Sequence, residues 1–129
     1  MKEVIRPAVK AGVALIYHSE GNTEAILPEL IDAGMRGLNP LEPFSMDLER
    51  MKGKFGDRLV LTGGIDNGNL LQNGTPAEVA HATRDCIRKA APGSGYCPGS
   101  SGELNPDTPI DNAVAMYSAI RKHGTYPIR

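Results

Sequence analysis

The sequence predicts an α/β fold of four parallel βα units, half of a (β/α)8 barrel. Four short apolar runs alternate strictly with four helical patterns, and most helix ends carry recognisable start or stop residues. The 129-residue length suits one domain with a modest core, and residues 1–129 show no linker, internal repeat or low-complexity stretch.

Val4 to Lys10 reads as a helix remnant interrupted by Pro7. Val13 to Tyr17 is continuously apolar, as befits a strand covered on both faces. Asn22 is placed to cap a helix whose Ile26, Leu27, Leu30 and Ile31 line one face, with Gly34 as its left-handed stop. Met35 to Asn39, around Leu38, is the second strand. Ser45 is expected to cap the next helix, which carries Leu48, Met51 and Phe55 and closes at Gly56. The third strand falls at Arg58–Thr62. Thr75-Pro76-Ala77-Glu78 is a capping box with proline at the first helical position, opening a helix through Val79, Thr83, Cys86, Ile87 and Ala90. Gly95–Cys97 is the fourth strand. Thr108-Pro109-Ile110-Asp111 is an acidic variant of the same box, and its helix is expected to turn Ile110, Val114, Tyr117 and Ile120 to the core before Gly124.

Such a series closes naturally as an eight-stranded barrel of roughly 250 residues, whereas four units leave two sheet edges open. Two-fold pairing of identical copies would cover both edges, so a homodimer is one expectation; a missing N-terminal half is the other.

Composition excludes several partners. The net charge of -1 and the lack of Lys or Arg runs leave no field for a phosphate backbone, so nucleic acid is not expected. The apolar stretch Gly12 to Tyr17 is far shorter than the roughly 20 residues of a bilayer span, so no membrane partner is expected and a cytoplasmic location is. Cys86 and Cys97 are too few for a disulfide framework and read as free thiols.

In a barrel the loops after the strands form the functional face. His18 and Glu20, two apart in extended backbone, fall on one side about 7 Å apart, within reach of one metal or one substrate group. Helix capping or a hydrogen bond inside the barrel mouth is the alternative for His18. Glu42, between Pro40 and Pro43, is either a directed ligand contact or a solvated turn acid. Asp66 follows Gly63-Gly64-Ile65, where it either meets a ligand or forms an Asx-turn with Asn67-Gly68. The candidate small-molecule site is therefore His18, Glu20, Glu42 and Asp66, with His18 and Glu20 as a possible zinc pair. Ser100, Ser101 and Glu103 have no base near them in sequence, His81 and His123 read as surface, Cys86 as core, and Cys97 as a strand residue beside the loop face.

The segments Tyr17-His18-Ser19-Glu20-Gly21-Asn22, Gly37 to Pro43, Leu61 to Asp66, Gly74 to Val79 and Asp107 to Ala113 resemble, in order, the C-terminal half of the uroporphyrinogen decarboxylase superfamily. That superfamily includes corrinoid-dependent methyltransferases. The resemblance implies a (β/α)8 barrel with the site in its mouth and a carboxy-lyase of porphyrin biosynthesis that uses no cofactor. In the methyltransferase branch it implies zinc on a His-x-Cys pair and a later Cys. Here the pair is His18-x-Glu20, and Gly102 stands where the later ligand, or the decarboxylase's histidine, would be. The family's catalytic aspartate and substrate-binding arginines belong to the first half, which has no counterpart in these residues. Three functional readings follow: a decarboxylase-like half barrel, a zinc- or corrinoid-dependent methyltransferase relative, and a non-catalytic homodimer binding a small ligand.

Overall fold

The computed structural model describes residues 2–128. The chain runs α1 (Lys2–Lys10), β1 (Leu15–His18), a 3-10 turn (Glu24–Ile26), α2 (Leu27–Ala33), β2 (Met35–Leu41), α3 (Leu48–Phe55), β3 (Val60–Ile65), α4 (Leu70–Asn73), α5 (Pro76–Ala90), β4 (Tyr96–Ser100) and α6 (Ile110–His123). The strands form one sheet in the order β1-β2-β3-β4, and every neighbouring pair is parallel. This is half of a (β/α)8 barrel, as expected from the βα alternation.

Alternation along each strand decides which face is core. Leu38, Leu61 and Tyr96 turn to the helices and pack with Leu27, Leu30, Ile31, Met51, Phe55 and Ile87. Each fully buried apolar side chain of this size is worth roughly 1.5–3 kcal/mol, so the sheet–helix layer carries the stability. A smaller cluster of Ile65, Leu71, Val79 and Met116 fixes α5 and α6 beyond the β3 end. The opposite, concave face carries Ile16, His18, Val60 and Cys97, all exposed. No helix among the described residues is long and apolar enough to cross a membrane.

Several boundaries differ from expectation, each for a local reason. α1 runs through Pro7 without interruption; the bond proline forgoes is to Glu3, in an exposed first turn. Val13 is not in β1, because its N–H donates to the carbonyl of Ala8 and closes the end of α1. Asn22 accepts from the N–H of Glu24, but what it opens is the 3-10 turn, and α2 starts only at Leu27. Asp47 rather than Ser45 caps α3, accepting from the N–H of Arg50 at 2.7 Å, while Ser45 donates to Glu42. β3 starts at Val60, since Arg58 and Leu59 still donate to the Phe55 carbonyl. Both β3 and β4 run further than expected, to Ile65 and Ser100, because Gly63, Gly64 and Ile65 pair with Pro98, Gly99 and Ser100.

At α5 the capping box forms in full: Thr75 Oγ1 accepts from the N–H of Glu78, whose carboxylate accepts from the N–H of Thr75. The box expected at α6 does not form, and Pro109 takes the N-cap without a side-chain bond. The face of α6 is also corrected. Asn112, Met116 and Ala119 are buried, whereas Ile110, Val114 and Tyr117 are 79%, 56% and 58% exposed. Periodicity finds two stripes on this helix, and the one anchored by the Asn112 amide, donating to the carbonyls of Leu71 and Gly74, wins.

Candidate functional site

Register places one concave-facing residue from each strand at a common level. His18 is opposite Asn39, and Thr62 is opposite Cys97. The Asn39 amide spans β2 to β3, donating through Nδ2 to Thr62 Oγ1, while its Oδ1 lies 2.7 Å from His18 Nδ1. Thr62 Oγ1 in turn donates to the Leu38 carbonyl at 3.2 Å.

The row has a direction. The Leu38 carbonyl can only accept, so the Thr62 hydroxyl spends its proton there and must accept from the Asn39 NH2. Asn39 Oδ1 is then the acceptor facing His18, which requires a proton on Nδ1. This network reasoning assigns the Nδ1–H tautomer to neutral His18 and leaves Nε2 with a lone pair.

His18 lies on a cleft of about 200 Å³ whose walls also include Glu20, Asn39, Ser100, Gly102 and Glu103. The curvature of the sheet thus brings β1 and β4, its two edges, to one hollow. Ser100 Oγ is buried there without a hydrogen-bond partner. Glu20 and Glu103 are exposed and make the rim acidic.

The other two candidate acids are occupied by the fold itself. Glu42 Oε2 accepts from the N–H of Gly21 at 2.8 Å and from Ser45 Oγ at 3.0 Å, bracing the loop after β1 against the loop after β2. Asp66 accepts from the N–H groups of Gly68, Asn69 and Leu70, which is the Asx-turn alternative extended into α4. Neither borders the cleft. Gly63 and Gly64, with φ of 95° and 92°, serve packing: a Cβ at Gly64 would come within 2.8 Å of Tyr96 Oη, which donates to the Gly63 carbonyl.

Gly102 also has a structural partner. A Cβ there would meet Asn67 Nδ2 at 2.6 Å, and the Asn67 amide is held by donating to the Glu103 carbonyl and accepting from Ser101 Oγ. Asn67 therefore occupies the space a side chain at 102 would need. His81 is exposed beside Asp85, and His123 is half-buried near the end of α6, away from the cleft. Cys86 is half-buried against Gly64, and burial pushes its thiol up, while Cys97 is exposed on the concave face.

A zinc ion asks for about four ligands in tetrahedral array. His18 and Glu20 offer two, and among the described residues no group of three or more His, Cys, Asp or Glu side chains is placed to hold a metal. The donor set of these residues does not fit a zinc site. Sequence reasoning missed Asn39 and Thr62 as site residues. The available signal was their polarity beside the apolar centres Leu38 and Leu61 of their strands.

A four-stranded parallel wall with polar groups at the carboxyl ends of its strands defines the mouth side of a (β/α)8 barrel. A family model described as "Uroporphyrinogen decarboxylase (URO-D)" matches residues 1–123, and the chain belongs to that family. The uroporphyrinogen decarboxylase of Coxiella burnetii, in each of three strains, is 30% identical over 119 residues, which cover 92% of this chain and 32% of the relative. A methyltransferase from Methanosarcina mazei is similar in structure, with a TM-score of 0.74 at 23% identity, covering 97% of this chain and 36% of that one. At that identity the likeness is one of fold. The chain spans about a third of the length of these relatives.

Proposed function

We propose that this chain forms one wall of the mouth of a uroporphyrinogen-decarboxylase-type barrel and supplies acceptor groups to carboxy-lyase chemistry on a tetrapyrrole-type substrate. The observation that carries this reading is the directed row Leu38–Thr62–Asn39–His18, which ends on the free Nε2 of His18 in the cleft. A reduced tetrapyrrole presents pyrrole N–H donors at its centre and carboxylates around its periphery. Nε2, Glu20 and Glu103 match the donors and repel the carboxylates. Cations that hold the carboxylates accordingly belong to the facing wall. Loss of carbon dioxide leaves a carbon that must take up a proton, and an imidazole held in one tautomer can carry a proton at one defined atom.

Carbon dioxide release from uroporphyrinogen tests this. The chain is assayed alone and together with the part of the Coxiella burnetii decarboxylase outside the matched region. Release is expected only in the mixture, and His18→Ala should lower it by a factor of about 100 or more. Undiminished release by His18→Ala, or none from an assembled mixture, contradicts the proposal.

A further inference from the structure

We infer that Asn67 is a positioning residue for the cleft: its amide fills the place of a side chain at 102 and ties the loop after β4 to the end of β3, which sets the wall facing His18. The inference rests on the tetrapyrrole reading proposed above and adds a residue outside the cleft that decides how tightly the cleft reads N–H donors.

The β4 side of the cleft is made by Ser100, Gly102 and Glu103. The sheet holds this segment only as far as Ser101, whose N–H donates to the Ile65 carbonyl at 2.7 Å. Beyond it Glu103 to Asp107 are exposed, and the bond from the Thr108 N–H to the Asn105 carbonyl is internal to the loop. What carries Glu103 is the Asn67 amide, whose Nδ2 donates to the Glu103 carbonyl at 3.1 Å.

That amide has one orientation. The Ser101 hydroxyl accepts from the Asn67 N–H at 3.2 Å, so its own proton goes to Asn67 Oδ1, 3.0 Å away, and Nδ2 is left for Glu103. Ser101 is buried, which keeps water from competing for the pair. Asp66 secures the arrangement from the other side, because its carboxylate takes the N–H groups of Gly68, Asn69 and Leu70 and so fixes the backbone next to Asn67. Asp66 thus acts on the cleft without bordering it.

Gly102 gives the direction of the fit. A Cβ there would lie 2.6 Å from Asn67 Nδ2 and 3.1 Å from its Cγ, so it points at Asn67, behind the wall, and not into the hollow. A methyl group at 102 and the Asn67 amide exclude one another. With Asn67 in place, the ligand meets main chain at 102 and beside it the tethered Glu103, in the same hollow as the free Nε2 of His18. An untethered Glu103 would lose conformational freedom on each contact, and the ligand would be held less tightly.

Uroporphyrinogen tests this with the mixture used above, the full chain and the part of the Coxiella burnetii decarboxylase outside the matched region. Asn67→Ala removes the tie, and Gly102→Ala displaces the amide. Asn67→Asp keeps the volume and the bond from Ser101, and so the fold, but cannot donate to Glu103. Each change should raise KM about tenfold with kcat within about twofold of the unaltered chain, and equilibrium dialysis of uroporphyrinogen should show the same loss of affinity. Asn67→Ala together with Gly102→Ala should be no worse than either alone, since both break one tie. An unchanged KM in variants that unfold more readily in urea would make Asn67 a packing residue only and overturn the inference, as would fully additive losses or a fall in kcat at constant KM. A mixture that binds uroporphyrinogen without releasing carbon dioxide contradicts the functional proposal alone, and dialysis then reads the variants. Release indifferent to all three changes contradicts this inference alone.

Discussion

The Asn39 side chain does two jobs at once, and both depend on which end of its amide faces His18. With Nδ2 committed to Thr62, Oδ1 draws a proton onto His18 Nδ1. Free histidine favours the other tautomer, so the effect is visible by nitrogen-15 NMR of the imidazole. At a pH where the ring is neutral, His18 should show the Nδ1–H pattern, and Asn39→Ala should return it to Nε2–H; an Nε2–H pattern in the unaltered chain contradicts the directed row. At Thr75 the capping box is expected to be worth about 1 kcal/mol, measurable as the loss in urea unfolding on Thr75→Ala. Glu78 is held below the usual carboxylate range by the Thr75 N–H and hydroxyl, so its contribution is present above the unfolded value and fades as the pH falls through the folded one. Cys86 acts in the opposite sense. Burial raises its thiol above the ordinary 9.0, so stability from this group is intact below that value and declines as the pH rises past it; a chain whose stability rises between pH 9 and 10 contradicts this assignment. The candidate site was partly legible at this scale. His18 and Glu20 both line the cleft, whereas the hydrogen bonds that withdraw Glu42 and Asp66 from it come from loop backbone that no side-chain pattern records.

Among the elements, β3 shows why strand ends are harder to read than strand centres. Its apolar centre at Leu61 is plain, but Gly63 and Gly64 look like a loop until their partner strand is known. Tyr96 supplies the reason for glycine there, with its hydroxyl directly beside Gly64. Gly64→Ala is accordingly expected to cost more than about 1 kcal/mol, and Tyr96→Phe in the same chain should recover part of it. Strictly additive losses in a double-mutant cycle contradict that packing account. α6 is the complementary case. Its stripe Ile110-Val114-Tyr117 has the spacing of a core face, and the chain's own core is instead met by Met116 and Ala119. Helical periodicity identifies an apolar face without saying what covers it.

At the scale of the molecule, the βα alternation made the parallel order β1-β2-β3-β4 legible, because most helices are punctuated and the strand centres are apolar on the helix side. The concave face was less legible, since its residues are brought into line by the register of neighbouring strands, which no pattern along the chain records. Among the described residues the sheet is an open four-stranded wall in which β1 and β4 are each paired on one side only. Amide hydrogen exchange, resolved strand by strand on the chain alone and then with the segment of the Coxiella burnetii decarboxylase outside the matched region, tests it most directly. β2 and β3 should exchange slowest in the isolated chain, β1 and β4 should exchange faster, and only β1 and β4 should gain protection when the segment is added. Equal protection of all four strands in the isolated monomer, or edges that stay unprotected in the complex, would contradict it.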